Sequence, residues 1–192
     1  MNILLQIWGG SFYLGNKIFL AFSEGRGSDH AFKRWGWFSY LIGLPAWVII
    51  FILERNWIMA AIELGSAPSM IFGLLVALHG RERAQTSIFA SLSVWFSYAL
   101  IPFGVGYSLY DYGGLVSLTQ VLEICAVVGF LGGTYFLAKG IRTGWLLFMV
   151  MNIGVAVLMF VQNNFIMGAQ QLVSLAFVVL GYMRSRNQLP VN

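Results

Sequence analysis

The stretch NWIMAAIELGS, residues 56–66, returns at residues 164–174 as NFIMGAQQLVS. Asn, Ile, Met, Ala, Leu and Ser stand in register, 108 positions apart. The first copy also carries a glutamate, Glu63, inside a segment that otherwise reads as a membrane helix. The echo decides the fold, and the glutamate starts the search for a site.

Extended without a gap, the shift of 108 aligns 34–73 with 142–181. Ten of these forty positions are identical, among them Arg34/Arg142, Gly36/Gly144, Trp37/Trp145, Asn56/Asn164 and Gly73/Gly181. Apolar composition yields chance matches of Leu and Ile, but not Arg, Trp, Asn and Ser in register. A second shift, of 117, aligns LGNKIFLA (14–21) with LGGTYFLA (131–138). The two shifts differ by nine because the loop after the first segment is nine residues longer.

The composition says what kind of element repeats. Of 192 residues, 59% are hydrophobic and 9% charged, with a mean hydropathy of +0.78. A soluble domain is about a quarter charged, so the chain reads as an integral membrane protein. A span needs roughly 18 apolar residues, because the hydrocarbon core is about 30 Å thick and a helix rises about 1.5 Å per residue. Seven such runs are expected: 3–22, 36–53, 57–79, 86–106, 115–138, 144–162 and 165–183. The first carries Gln6, Asn16 and Lys17, with no basic stretch before it and no small-residue cleavage site after it, and reads as a retained helix rather than a signal peptide.

The sequence predicts an all-α integral membrane protein in a 3+1+3 order. A first three-helix repeat (about 3–81) and a second (about 115–186) are joined by a linker helix (about 86–106), and residues 1–192 form a single transmembrane bundle. The odd linker makes the repeats run parallel, about an axis along the membrane normal. Arg26, Lys33, Arg34, Arg81, Arg83, Lys139, Arg142, Arg184 and Arg186 all fall on one side, and only Arg55, beside Glu54, lies opposite. The positive-inside rule places the N-terminus outside and the C-terminus in the cytoplasm. The net charge of +4 thus speaks of topology and not of nucleic acid. The single cysteine, Cys125, excludes an internal disulfide and a metal-thiolate cluster, and no metal or cofactor is expected.

A charge at the centre of a span costs roughly 2.5 to 3.5 kcal/mol on insertion scales, so those present tend to face a cavity. Lys17 lies near the cytoplasmic end of its span and is expected to snorkel to the interface as an anchor. Glu63 and Glu123 lack that reach. Together with Gln6, Asn152, Gln170 and Gln171 they are expected to form a polar belt between the midplane and the outer third. The structural alternative is interhelical hydrogen bonding. Two carboxylates beside aromatic faces suit an organic cation. The candidate faces are Trp8, Trp37, Tyr40, Trp145 and Phe148, although Trp37 and Trp145 also read as an ordinary interfacial belt.

The stretch GWLLFMVMNIGVAVLMFVQNNFIMGAQQLVSLAFVVLGYMRSR (144–186) resembles the last two helices of the nicotinamide riboside transporters, the PnuC-type vitamin transporters. The family pattern is Trp-x-x-Trp, an Asn four residues on, a Gln closing that helix and a polar residue early in the final one. Here it falls on Trp145, Phe148, Asn152, Gln162 and Gln170, with Phe148 in place of the second Trp. The stretch 37–81 is similar to the second and third helices more loosely. The resemblance implies a multi-pass protein of the bacterial inner membrane and facilitated diffusion of a vitamin or nucleoside-like substrate. Nicotinamide riboside comes first, with thiamine or riboflavin as alternatives. The substrate expected is a small vitamin with a cationic aromatic ring, and the partners are that vitamin and the lipid bilayer, with a homo-oligomer left open. The expected binding residues are Trp37, Tyr40, Glu63, Glu123, Trp145, Phe148, Asn152, Gln170 and Gln171.

Rival classes leave weaker marks. No Pro-Gln pair occurs, as the sugar transporters of 3+1+3 order would show, and 165–183 has no lysine for a retinal. No Cys–His or Ser–His constellation lies at membrane depth, so an enzyme is not expected. There is no GxxxxGK[ST] loop for an ATPase. A sensor that binds without transport remains the second alternative.

Overall fold

The computed structural model describes residues 3–24, 31–80, 84 and 88–186. Arg26, Arg81 and Arg83, used above for orientation, lie outside the described residues. The described chain is helical, with no strand. Its helices are α1 (Ile3–Ser23), α2 (Ala31–Leu53), α3 (Trp57–Gly65), α4 (Ala67–His79), α5 (Ile88–Tyr112), α6 (Leu118–Ala138), α7 (Thr143–Val161) and α8 (Phe165–Arg186). Five segments are long and apolar enough to cross a membrane: Ala31–Leu53, Trp57–His79, Leu118–Ala138, Thr143–Val161 and Phe165–Ser185. In α1, Gln6, Asn16 and Lys17 dilute the apolar run.

The expected third span is two helices. Pro68 occupies the first turn of α4 and has no N–H to continue the ladder from α3. Ser66 bridges the break: its Oγ donates to the Glu63 carbonyl at 2.7 Å, and its own carbonyl accepts from the Met70 N–H at 3.0 Å. The expected linker helix is longer than read and is not among those five segments. It runs on to Tyr112, where Gly113, at φ 73°, admits the left-handed turn that ends the helix.

Neighbouring helices close a ring in the order α1, α2, α3/α4, α6, α7, α8 and back to α1, while α5 packs outside the ring against α3 and α4. The core is mainly apolar, but the outer surface is apolar as well, and several polar side chains lie inside. Leu4, Ile7, Leu53, Trp95, Phe103, Val128, Ile153, Ile166 and Met183 face outward, while Asn16, Lys17, Glu63, Gln120, Glu123, Asn152 and Gln171 are buried. Trp8 is 40% exposed and so is not one of the interior aromatic faces.

Two turns share one geometry. After α2, Arg55 adopts φ 58°, and after α7, Asn163 adopts φ 59°. Around them the Asn56 N–H bonds the Phe51 carbonyl and the Asn164 N–H that of Met159, both at 2.8 Å, while Arg55 and Asn163 bond Ile52 and Phe160, both at 3.1 Å. This is a helix-terminating motif that satisfies two orphan carbonyls around a left-handed residue. Asn tolerates that conformation better than Arg does. At Arg55 the side chain is held by a fork to Asp111 of α5, Nη2 to Oδ1 at 2.7 Å and Nε to Oδ2 at 3.1 Å. Trp57 Nε1 also donates to Asp111 Oδ2, at 2.7 Å.

The Arg55 guanidinium and the Trp57 N–H hold the Asp111 carboxyl below its ordinary value. A depressed carboxylate stabilises the fold above the unfolded value, about pH 3.9 for Asp, and that gain fades as pH falls through the folded value. Asp111→Asn is therefore expected to lower the melting temperature at neutral pH, with the gap to wild type closing below about pH 4. A gap that stays constant down to about pH 3 would show that the ion pair contributes nothing.

Candidate binding site

The interior is layered along the ring axis, from the end bearing Lys139 to the end bearing Asp111. At the Lys139 end lies a vestibule of about 250 Å³, lined by Leu20 and Glu24, Lys33 and Trp37, Gly73, Val76 and Ala77, Leu137 to Gly140, and Trp145. Its two tryptophans are mounted alike. A Cβ on Gly73 would stand 2.5 Å from the Trp37 ring, and one on Gly181 would stand 2.6 Å from the Trp145 ring. Only glycine lets the indoles lie so close, Trp37 on α4 and Trp145 on α8. Trp145 Nε1 also donates to Glu24 Oε1 at 3.3 Å.

Leu20, Trp37 and Trp145 each have an inner neighbour three residues along the same helix, about 4.5 Å deeper: Lys17, Tyr40 and Phe148. These form the second layer. The Lys17 Nζ lies 3.3 Å from the Phe148 ring centre, 4.8 Å from that of Tyr13 and 5.0 Å from that of Tyr40. Three aromatic faces around an ammonium make a cation cage, here filled by the protein's own lysine. Lys17 is fully buried, which corrects the expected interface anchor. Its stem points inward, from the face of α1 that also carries Tyr13 and Leu20, so snorkelling is closed to it.

The third layer is a small cavity of about 10 Å³ bounded by Tyr13, Trp47, Phe51, Met59, Glu63, Phe130, Met151, Val155 and Gln171. That is about the room one water needs. Tyr13 donates to Met151 Sδ at 3.1 Å, across the two halves. Trp47 Nε1 donates to the Gly9 carbonyl at 3.0 Å. Glu63 is 2% exposed and Gln171 1%. Among the described residues, Glu63 Oε1, Gln171 Oε1 and Lys17 Nζ have no hydrogen-bond partner. Asn152, one turn beyond Phe148, donates to the Phe148 carbonyl at 2.7 Å and leaves its buried Oδ1 without a partner. Beyond the cavity, Asn56 and Gln162 exchange two amide hydrogen bonds, at 3.0 and 2.8 Å.

Trp37, Tyr40, Glu63, Trp145, Phe148, Asn152 and Gln171 thus share this interior. Gln170 does not. Its Nε2 bonds the Gly10 carbonyl and ties α8 to α1, because residues adjacent in a helix cannot face the same way. Glu123 is committed elsewhere. Its Oε2 accepts from the N–H groups of Ile58 at 3.1 Å and Met59 at 3.3 Å. These are orphan donors of the first turn of α3, where an anion is favoured by the helix dipole. Gln120 is likewise structural, closing the turn before α6 through Val116 and Ser117. Half-buried Gln6 adds no bond to the interior among the described residues. The expected pair of acidic side chains in the interior is therefore one, Glu63, and the amine of Lys17 is buried in the same bundle.

Sequence reasoning passed over Lys17, Tyr13 and Trp47. The available signal was the stripe Gly9, Tyr13, Lys17 and Leu20, spaced at three and four on α1. No family model, curated protein or solved structure matches the chain.

Proposed function

We propose that the chain is a membrane transporter of PnuC type, carrying a vitamin or nucleoside-like molecule by facilitated diffusion across a bacterial inner membrane. The observation that carries this reading is the interior column itself. Buried polar atoms without partners among the described residues, on Lys17, Glu63, Asn152 and Gln171, lie inside an apolar-faced bundle that has a vestibule at one end. Seven spans in two parallel repeats fit the paired turns at Arg55 and Asn163 and the paired indoles on Gly73 and Gly181. They also fit the ring order, in which the third rod of each half meets the first helix of the other. The basic residues place the vestibule on the cytoplasmic side, with the N-terminus outside.

The resemblance points first to nicotinamide riboside, with thiamine and riboflavin behind it. Uptake of each into liposomes holding the purified protein tests the reading, and binding without uptake would favour the sensor alternative. Asn152 and Glu63 are assigned to substrate, Glu123 and Gln170 to structure. Asn152→Leu and Glu63→Gln are each expected to weaken substrate binding at least about tenfold, or about 1.4 kcal/mol, with the protein still folded. Calorimetry on purified variants measures this. Full affinity in Asn152→Leu would reduce that amide to interhelical glue.

A further inference from the structure

We infer that the outward groove between the start of α2 and the end of α4 holds an acyl chain of one anionic phospholipid, with Arg34 on its phosphate. The inference goes beyond the proposed function, because it requires the chain to lie in a membrane and not to transport.

The groove has a volume of about 550 Å³ and is lined by Ala31, Arg34, Trp35, Phe38, Leu74 and Leu78. Its accessible lining is wholly apolar, so Arg34 gives its aliphatic stem to the wall and carries its guanidinium beyond it. Trp35 is 56% exposed, Phe38 45% and Leu78 47%. The Trp35 and Phe38 rings meet edge to face, with centres 5.9 Å apart. The opposite face of α2 is turned into the bundle, with Gly36 against Leu20 and Trp37 against Gly73.

Place and charge choose the occupant. Both helices belong to segments long and apolar enough to cross a membrane, Ala31–Leu53 and Trp57–His79. An apolar slot on their outer face is filled more favourably by hydrocarbon than by water. Ala31 to Phe38 rises about 10 Å, less than half of a hydrocarbon core about 30 Å thick, so the slot belongs to one leaflet. Arg34 is exposed and enters no ion pair among the described residues. No acidic side chain lines the groove, and His79 stands exposed in the last turn of α4. A guanidinium at the polar end of an apolar slot complements a phosphate with a tail attached. A zwitterionic headgroup would bring a cation of its own beside Arg34, and an anionic one does not.

The repeat supplies a comparison within the chain. At the shift of 108, Arg34 meets Arg142, while Trp35, Phe38, Leu74 and Leu78 meet Thr143, Leu146, Tyr182 and Arg186. The basic residue is copied and the apolar wall beside it is not. Arg142 is therefore the control for charge alone.

The test is native mass spectrometry of the purified full chain in detergent micelles doped with phosphatidylglycerol or with phosphatidylcholine of the same acyl chains. Glycerol phosphate serves as the probe without a chain, and thermal unfolding checks that each variant is folded. Wild type is expected to retain one phosphatidylglycerol at least about tenfold more tightly than phosphatidylcholine, as a charge-assisted hydrogen bond allows. Arg34→Gln is expected to bring the two lipids within about twofold of each other, and Arg142→Gln to keep the wild-type preference. Glycerol phosphate is expected to stay unbound at concentrations at which the lipid saturates. Equal retention of the two lipids by wild type marks ordinary annular lipid and overturns the inference without needing any variant. An unchanged preference in folded Arg34→Gln overturns it as well, and so does glycerol phosphate bound as tightly as the lipid, which would leave the groove without a part. None of these outcomes bears on transport, which liposome uptake reads separately.

Discussion

Gly129→Ala is expected to destabilise the protein by about 3 kcal/mol, the upper part of the range for overpacking a core. Its Cβ would stand 2.6 Å from the Leu147 carbonyl oxygen, 2.7 Å from the Met151 nitrogen and 2.9 Å from the Met151 Cβ. These are backbone atoms of α7 or atoms fixed to it, so no side chain can swing aside. The two helices must separate, and the contacts at Gly133 and Gly144 would loosen with them, since each of those glycines is also in close approach between the same helices. Gly154→Ala, on the same pair, is the control. Its Cβ would meet Ala126 atoms at 3.5 and 3.6 Å, ordinary contact, and alanine favours the helix by up to about 1 kcal/mol. It is expected to be neutral or slightly stabilising. Melting temperatures of both variants in one detergent decide the matter, and similar losses in both would refute the backbone-contact argument.

The second large effect is expected at Glu123. Glu123→Ala removes the acceptor from the N–H groups of Ile58 and Met59. Asn56 at the helix start makes no side-chain cap, so nothing local replaces the carboxylate. The loss is expected to be about 1.5 to 3 kcal/mol, the range for a hydrogen bond to a charged group. Glu123→Gln keeps one acceptor oxygen and should lose less. Substrate affinity should change little in folded Glu123→Gln, in contrast to Glu63→Gln. An equal fall in affinity in both variants would return Glu123 to the binding site.

Much of the architecture is legible in the chain because apolar runs and short polar breaks are local signals. The helix boundaries follow them, apart from the break at Ser66, where Pro68 cannot continue the ladder, and the run of α5 on to Tyr112. Glu63, Asn152 and Gln171 are legible as interior because a polar side chain inside an apolar run is costly against lipid and turns toward the bundle. Glu123 shares that signal and means something else. Its partner is the backbone of residues 58 and 59, a tertiary fact that no side-chain pattern records. Lys17 shows the limit differently. A lysine near a helix end reads the same whether its stem climbs to the interface or turns into the bundle, and only the direction of its helix face decides. Gln170 and Gln171 stand side by side in the sequence with equal claims, and the rotation of α8 gives the interior to one and the α1 backbone to the other.

The matched turns at Arg55 and Asn163 differ in what their apex side chains do. Each turn is fixed by main-chain bonds, so the residue at its apex is released from shaping the chain and can take on outside work. At position 163 the asparagine merely fits. At position 55 the arginine reaches away from the ring and, with Trp57, clasps Asp111 at the tip of α5. The unpaired helix is thus moored like an outrigger to one side of a balanced hull.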